Sequence, residues 1–183
     1  MAHELILGAL NDFITGETLP DTLDERARQE IARFLVEQKG YEKSDISARV
    51  KIPLEVDGDT GISIIDYLVS IRSKGVMAVV FGPGSLVTRE RAAVTAAMLA
   101  APFIIPYVVV TNGKDAEFMD THTGKVIGYG FESIISRQEM INRIAGLEFT
   151  IVEEKRRKKA ERILFTLDVL TRRECDEFTC TRC

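Results

Sequence analysis

Residues 76–100 read VMAVVFGPGSLVTRERAAVTAAMLA. The apolar run 76–81 enters a Gly-Pro-Gly turn without a single charge, and an Ala-rich segment follows. Such a short unbroken apolar run suits a strand buried on both faces. FIIPYVVV, residues 103–110, is a second apolar run. A strand, a helix and a strand in that order predict a crossover joining two neighbouring strands. Ser85 or Thr88 is the expected cap of the helix.

The surrounding segments extend this pattern. ISARVKIPLEV (46–56) alternates and predicts a strand, DGDTG a turn, GISIIDYLVSIR (61–72) a second strand and SKG another turn. AEFMDTHTGKVIGYG (116–130) predicts strand, turn and strand. SRQEMINRIAG and EEKRRKKAERILFTLDVLTRR predict two closing helices, the last with Ile163, Leu164, Leu167 and Leu170 as its apolar stripe. Upstream, HELILGALNDFI has helical spacing and predicts a short first helix ending near Gly16. Asp21 or Thr22 caps the next helix, Asp24 and Glu25 suit its first turn, and Ala27, Ile31, Phe34 and Leu35 share a face up to Gly40. The expected order is α-α-β-β-β-α-β-β-α-α, an α/β mixed sheet flanked by helices. Residues 1–150 form the expected domain. Residues 151–183 add a helix and a Cys-containing tail.

At 183 residues the chain suits one domain with a sizeable core. No apolar run reaches the roughly 18 residues of a membrane span, and MAHELILGALNDF has no basic leader, so a cytoplasmic location is expected. The net charge of −4 does not mark a nucleic-acid binder. Its distribution is uneven: residues 1–60 carry 7 basic and 13 acidic side chains, and 151–183 carry 9 and 7. The one basic run is KRRKK, Lys155, Arg156, Arg157, Lys158 and Lys159. Cys175, Cys180 and Cys183 have a spacing open to a soft metal, but no fourth ligand lies nearby. A reduced tail is the plainer reading.

Asp66 stands inside an apolar strand. Alternation puts Ile65, Tyr67, Val69 and Ile71 on one face and Ile64, Asp66, Leu68 and Ser70 on the other. A carboxylate there is costly unless paired, hydrated or metal-bound. Arg72 and Arg49 are the candidate partners for a structural role.

Several runs resemble the N-terminal nuclease domain of the R subunit of type I restriction enzymes, within the restriction-endonuclease-like (PD-(D/E)XK) superfamily. DERARQEIARFLVEQKGYEKSDISARVKIPLEV is similar to its opening helix, Gly-Tyr turn and first strand. IIDYLVSI is similar to the strand that brings the first catalytic aspartate, here Asp66, and YVVVTNGKDAEFMD to the strand ending in Thr-Asn-Gly. The likeness spans roughly residues 20–128. It implies metal-dependent phosphodiester hydrolysis of DNA, with carboxylates holding Mg²⁺ and a lysine positioning the attacking water.

The family's next strand carries an acid, any residue and a lysine. Here one register offers Val80 and Gly82, the next Phe81 and Pro83, and no acid occurs between Asp66 and Glu90. Asp66 therefore resembles a vestige of a metal site, as metal ligand and catalytic group both. Glu25 is the best-placed substitute acid, with Glu30 and Glu37 behind it on the same helix. The expected function is an inactive or impaired nuclease domain, standing alone without a helicase motor, with a nucleic-acid-binding or regulatory role. The alternatives are an active Mg²⁺-dependent DNA endonuclease with relocated acids, and a protein–protein module that contacts no nucleic acid.

The remaining motifs have plainer readings. FGPGS before a helix offers amides to a phosphate but lacks a P-loop lysine, so a turn is the simpler reading. In TNG, Gly113 is expected to take a positive φ and Asn112 a turn hydrogen bond. His122 is expected at an exposed hairpin tip. KRRKK could track a DNA backbone, or form a solvated face laced by i,i+4 ion pairs.

Overall fold

The computed structural model describes residues 5–170. It opens on a hairpin, β1 (Gly8–Asn11) and β2 (Thr18–Asp21), where helical spacing predicts a helix. Local chemistry explains the difference. Asp12 Oδ1 accepts from the Ile14 and Thr15 amides, and Gly16 turns the chain with φ 78°. This Asp-based turn offers the backbone an alternative to the helix. The helix α1 (Leu23–Arg33) follows, with Thr22 as its cap accepting from the Glu25 amide. A π-helical turn, Phe34–Gln38, extends it to Gly40, whose φ is 75°.

The main sheet has six strands in sequential order: β3 (Ile46–Val56), β4 (Asp59–Ile71), β5 (Lys74–Phe81), β6 (Tyr107–Thr111), β7 (Ala116–Asp120) and β8 (Lys125–Tyr129). Only β5 and β6 are parallel, joined by α2 (Val87–Leu99). The crossover read from residues 76–110 is present. The strand, turn and strand read at 116–130 are β7 and β8, so three strands follow α2 where the written order has two, and the fold is the mixed α/β sheet of the restriction-endonuclease-like kind. Neither Ser85 nor Thr88 caps α2. Leu86 stands at the cap without a side-chain bond, and the Thr88 hydroxyl instead donates to the Ser85 carbonyl.

Two apolar layers cover the sheet. Ile31, Leu35 and Tyr41 pack with Tyr67, Val79, Val109 and Phe118, joined by Met140 of α3 (Arg137–Arg143). On the other face Ala93, Ala96 and Ala97 of α2 and Leu164 of α4 (Glu154–Leu164) pack with Ala78, Val108, Val110 and Met119. A π-helical turn, Phe165–Leu170, closes the described chain. Its wider turn alters the expected stripe: Phe165 and Val169 are buried, whereas Leu167 and Leu170 are exposed.

The first sheet hairpin changes layers part-way along. Pairing passes from Ala48↔Tyr67 to Val50↔Ile65, and Arg49 between them has φ 52°. Ala48 and Tyr67 pack in the α1 layer, but Val50 and Ile65 pack in the α2 layer. Ile65 and Tyr67 therefore do not share the single apolar face that alternation predicts. Asp66 sits at the crossing point.

Candidate functional site

Asp66 is 8% exposed, and both of its oxygens are engaged. Oδ1 accepts from Arg28 Nε at 2.7 Å, and Oδ2 accepts from the Phe81 amide at 2.7 Å. The second bond ties β4 to the end of β5 beyond their last ladder pair, Tyr67↔Val79. Arg28 comes from α1. It is held by Asp66, by Glu25 at 3.7 Å, and by the Phe81 ring, whose centre lies 4.9 Å from its guanidinium carbon. Tyr67 donates its hydroxyl to the Arg28 carbonyl at 2.9 Å. Burial works against the Arg28 charge, but the Asp66 charge and hydrogen bond outweigh it and raise its pKa.

The partners expected for Asp66 lie elsewhere. Arg72 is exposed in the β4–β5 turn with φ 52°. Arg49 bonds Asp12 at 2.6 Å and Glu25 at 3.0 Å. Gln29 links the same two acids, donating to Asp12 and to Glu25. A continuous network thus runs Asp66–Arg28–Glu25–Arg49–Asp12. Burial opposes ionisation of Asp12, but the Thr15 amide, Arg49 and Gln29 outweigh it and bring its pKa down to about 2. The i,i+3 spacing of Glu25 and Arg28 was the visible trace of this network. Asp12 and Gln29 carried no comparable signal.

The end of β5 supplies neither acid nor lysine. Val80 is half-buried against the α2 layer, and Phe81 points into the α1 layer. Gly82 donates its amide to the Thr111 carbonyl at 3.0 Å. The space that a Gly82 side chain would need is filled by the Arg89 guanidinium, which also donates to the Pro83 carbonyl at 2.9 Å. In the FGPGS turn Gly84 has φ 92°, and Asn112 of the TNG turn donates to its carbonyl at 3.1 Å. Gly113 takes φ 83°, and Asn112 Oδ1 accepts from the Lys114 and Asp115 amides, as the sequence predicts.

The other candidates spread out. Glu30 lines a shallow groove of about 150 Å³ with Ile31, Phe34, Gly113 and Phe131. Glu37 is exposed on the π-helical turn. His122 lies in the β7–β8 turn, half-buried, with Nε2 3.1 Å from the Glu148 carbonyl. On α4, Arg157 pairs with Glu161, Lys158 with Glu154, and Arg162 with Asp57. Lys155, Arg156 and Lys159 are exposed on the same helix and form no ion pair among the described residues. Cys175, Cys180 and Cys183 lie outside the described residues. No helix among those residues is long and apolar enough to cross a membrane.

The model of the type I restriction enzyme R protein N terminus matches residues 23–134. The chain belongs to this family. No curated protein and no solved structure matches it. The matched segment runs from the start of α1 past β8 and contains Asp66, the β5 end and the TNG turn, so the family frame coincides with the sheet.

The residues around Asp66 do not fit the Mg²⁺ that the nuclease resemblance implies. The oxygens of Asp66 are occupied by Arg28 and the Phe81 amide, and those of Glu25 face Arg49, Gln29 and Arg28. Among the described residues no group of three or more His, Cys, Asp or Glu side chains could hold a metal. The Arg28 cation stands between the Glu25 and Asp66 carboxylates.

Proposed function

We propose that this chain is a nuclease-like domain that does not cleave DNA, and that it acts by binding nucleic acid. The observation that carries this reading is the closed coordination of Asp66 by Arg28 and the Phe81 amide. A guanidinium is a fixed positive charge that activates no water, so the chemistry of hydrolysis has no agent there. Val80 and Gly82 support the same reading from β5. Binding is assigned to Lys155, Arg156 and Lys159 on the outer face of α4, where the cations not neutralised by Glu154, Glu161 or Asp57 gather.

The test has two arms. Single- and double-stranded DNA are incubated with Mg²⁺ or Mn²⁺ and the wild type or Asp66→Ala. No cleavage by either protein supports the reading, whereas cleavage abolished by Asp66→Ala overturns it. In the second arm, affinity for a DNA duplex is measured against salt for the wild type and for Lys155→Glu/Arg156→Glu/Lys159→Glu. A steep salt slope that the triple variant flattens is expected. Failure to bind DNA or RNA at any salt points instead to a protein partner.

One observation favours the rival reading of an active endonuclease. Glu25 and Asp66 converge on the same cation, Arg28, so its displacement would leave two acids side by side. Arg28→Ala in the cleavage assay separates the two readings: activity gained on removing Arg28 supports the rival.

A further inference from the structure

The groove beside Glu30 joins three separate segments on the α1 side of the sheet, the side opposite α4. Glu30 and Phe34 come from α1 and its π-helical turn, Gly113 from the β6–β7 turn, and Phe131 from the helical turn after β8. Phe34 and Phe131 meet edge to face, with ring centres 5.0 Å apart and planes at 70°. Gly113 brings bare backbone against α1: a methyl group added there would lie 3.3 Å from Ala27 Cβ. Ile31, 3% exposed, completes the lining.

One charge stands in this apolar lining. The Glu30 side chain is exposed and forms no ion pair among the described residues. Other acids of this face are engaged: Asp12, Asp21, Glu25, Asp45 and Asp66 each hold an arginine. Phe34 already carries the Lys39 ammonium 5.5 Å from its ring centre, as the negative face of a ring allows. Lys39 itself is directed elsewhere, donating to the Glu132 carbonyl at 3.0 Å. The chain shows what such a set of groups receives. Arg28 lies over the Phe81 ring with the Asp66 and Glu25 carboxylates on its guanidinium. The groove repeats the ring and the carboxylate without the arginine. Its volume of about 150 Å³ is below the roughly 300–1,000 Å³ of small-molecule pockets, and suits a single side chain. Residues 1–60, with 13 acidic and 7 basic side chains, add a negative field that favours a cationic visitor.

We propose that this groove is a docking site for a partner protein, and that it takes one arginine side chain presented by the partner between apolar residues. A guanidinium is planar and more weakly hydrated than an ammonium. It lies flat on aromatic faces and pairs with a carboxylate through two parallel hydrogen bonds. A lysine would meet Glu30 only as a point charge. Nucleic acid is disfavoured here, because the Glu30 carboxylate repels phosphate. The inference is independent of nucleic-acid binding by α4. The two surfaces lie on opposite sides of the sheet, and either can fail alone.

The probe is the capped tripeptide acetyl-Leu-Arg-Leu-amide. It is compared with the same peptide carrying lysine, or citrulline, which keeps the shape of arginine and loses its charge. Binding to the full chain is followed by amide shifts in nitrogen–proton correlation spectra at neutral pH, which also report the folding of every variant. The shifts should centre on Glu30, Phe34, Gly113 and Phe131. Affinity should fall in the order arginine, lysine, citrulline, with arginine about two- to fivefold above citrulline, the range of an exposed ion pair. Glu30→Gln should remove the preference for arginine over citrulline. Glu55→Gln, which changes an exposed acid on β3 outside the groove, should leave it intact. Absence of binding to folded wild type, any other order of affinity, shifts centred elsewhere, or a preference that survives Glu30→Gln would each overturn the proposal. So would a DNA duplex that shifts the same groove amides in place of the peptide.

Discussion

Arg28 Nε stands 2.7 Å from Asp66 Oδ1, with the Arg28 side chain 27% exposed and that of Asp66 10%. A helix cation and a strand carboxylate thus meet where the sheet hairpin crosses between its two layers. Removing Arg28 takes the cation from a buried carboxylate, and removing Asp66 leaves Arg28 with only Glu25, at 3.7 Å, as its ion-pair partner among the described residues. Arg28→Met should cost about 2–3 kcal/mol, below the range for a fully buried pair because water still reaches the guanidinium. Asp66→Asn keeps an acceptor for the Phe81 amide and should cost less. In urea unfolding the double variant should recover about 1–2 kcal/mol relative to the sum of the singles. Strict additivity would mean that the pair contributes no coupling.

Asp12 sets an acid limit on stability. Its folded pKa of about 2 lies below the ordinary 3.8, so the folded state binds its proton less readily than the unfolded chain. The stabilisation is present in full above about pH 4 and is lost as pH falls toward 2, with an amplitude of about 2 kcal/mol. Denaturant midpoints measured between pH 5 and 2 should fall in the wild type. In Asp12→Asn the curve should start lower and be flatter, because the Arg49 pair is already weakened.

The carboxyl of Glu117 behaves in the opposite sense. Burial, then the neighbouring Glu90, raise its pKa. A group with a raised folded pKa stabilises below its unfolded pKa, and that stability is lost as pH rises through the folded value. Glu117→Gln should therefore raise the melting midpoint at pH 7 and have little effect at pH 4. An equal effect at both pH values would show that packing, not charge, is responsible.

Gly61 is where the closing π-helical turn meets β4. A methyl group there would lie 2.5 Å from Val169 Cγ1 and 3.2 Å from Phe165 Cε2. Gly61→Ala should cost about 1–3 kcal/mol through forced displacement of those side chains. Gly146→Ala, with nothing within 4 Å of the added carbon, should stay within about 0.5 kcal/mol. Thermal unfolding of the two variants side by side makes the comparison.

Tyr41 is 1% exposed and donates to the Ile135 carbonyl at 2.9 Å, joining the turn after α1 to the segment before α3. Tyr41→Phe keeps the ring and removes the donor. A loss of about 1 kcal/mol is expected from the missing bond, together with the unpaired carbonyl left behind. A neutral result in urea unfolding would show that water reaches Ile135.

The sequence by itself determined the sheet. Apolar runs at 76–81 and 103–110, alternation at 46–56 and the turns between them are local signals, and periodicity reports which backbone can bury such runs. It also determined what β5 lacks, since an absent acid and lysine are visible without coordinates. Only the tertiary structure decided what Asp66 does. Its partners Arg28 and the Phe81 amide lie 38 and 15 residues away, and a strand pattern carries no information about which distant cation will fold over it. The same holds for the opening hairpin, where the Asp12 turn and its contacts with Gln29 and Arg49 overrode a helical spacing. It holds for the stripe of the last helix, where a π-helical turn changed which side chains reach the core. Local periodicity fixes which residues can share a face. Long-range charge pairing and the exact pitch of the chain decide which face it is and what it meets.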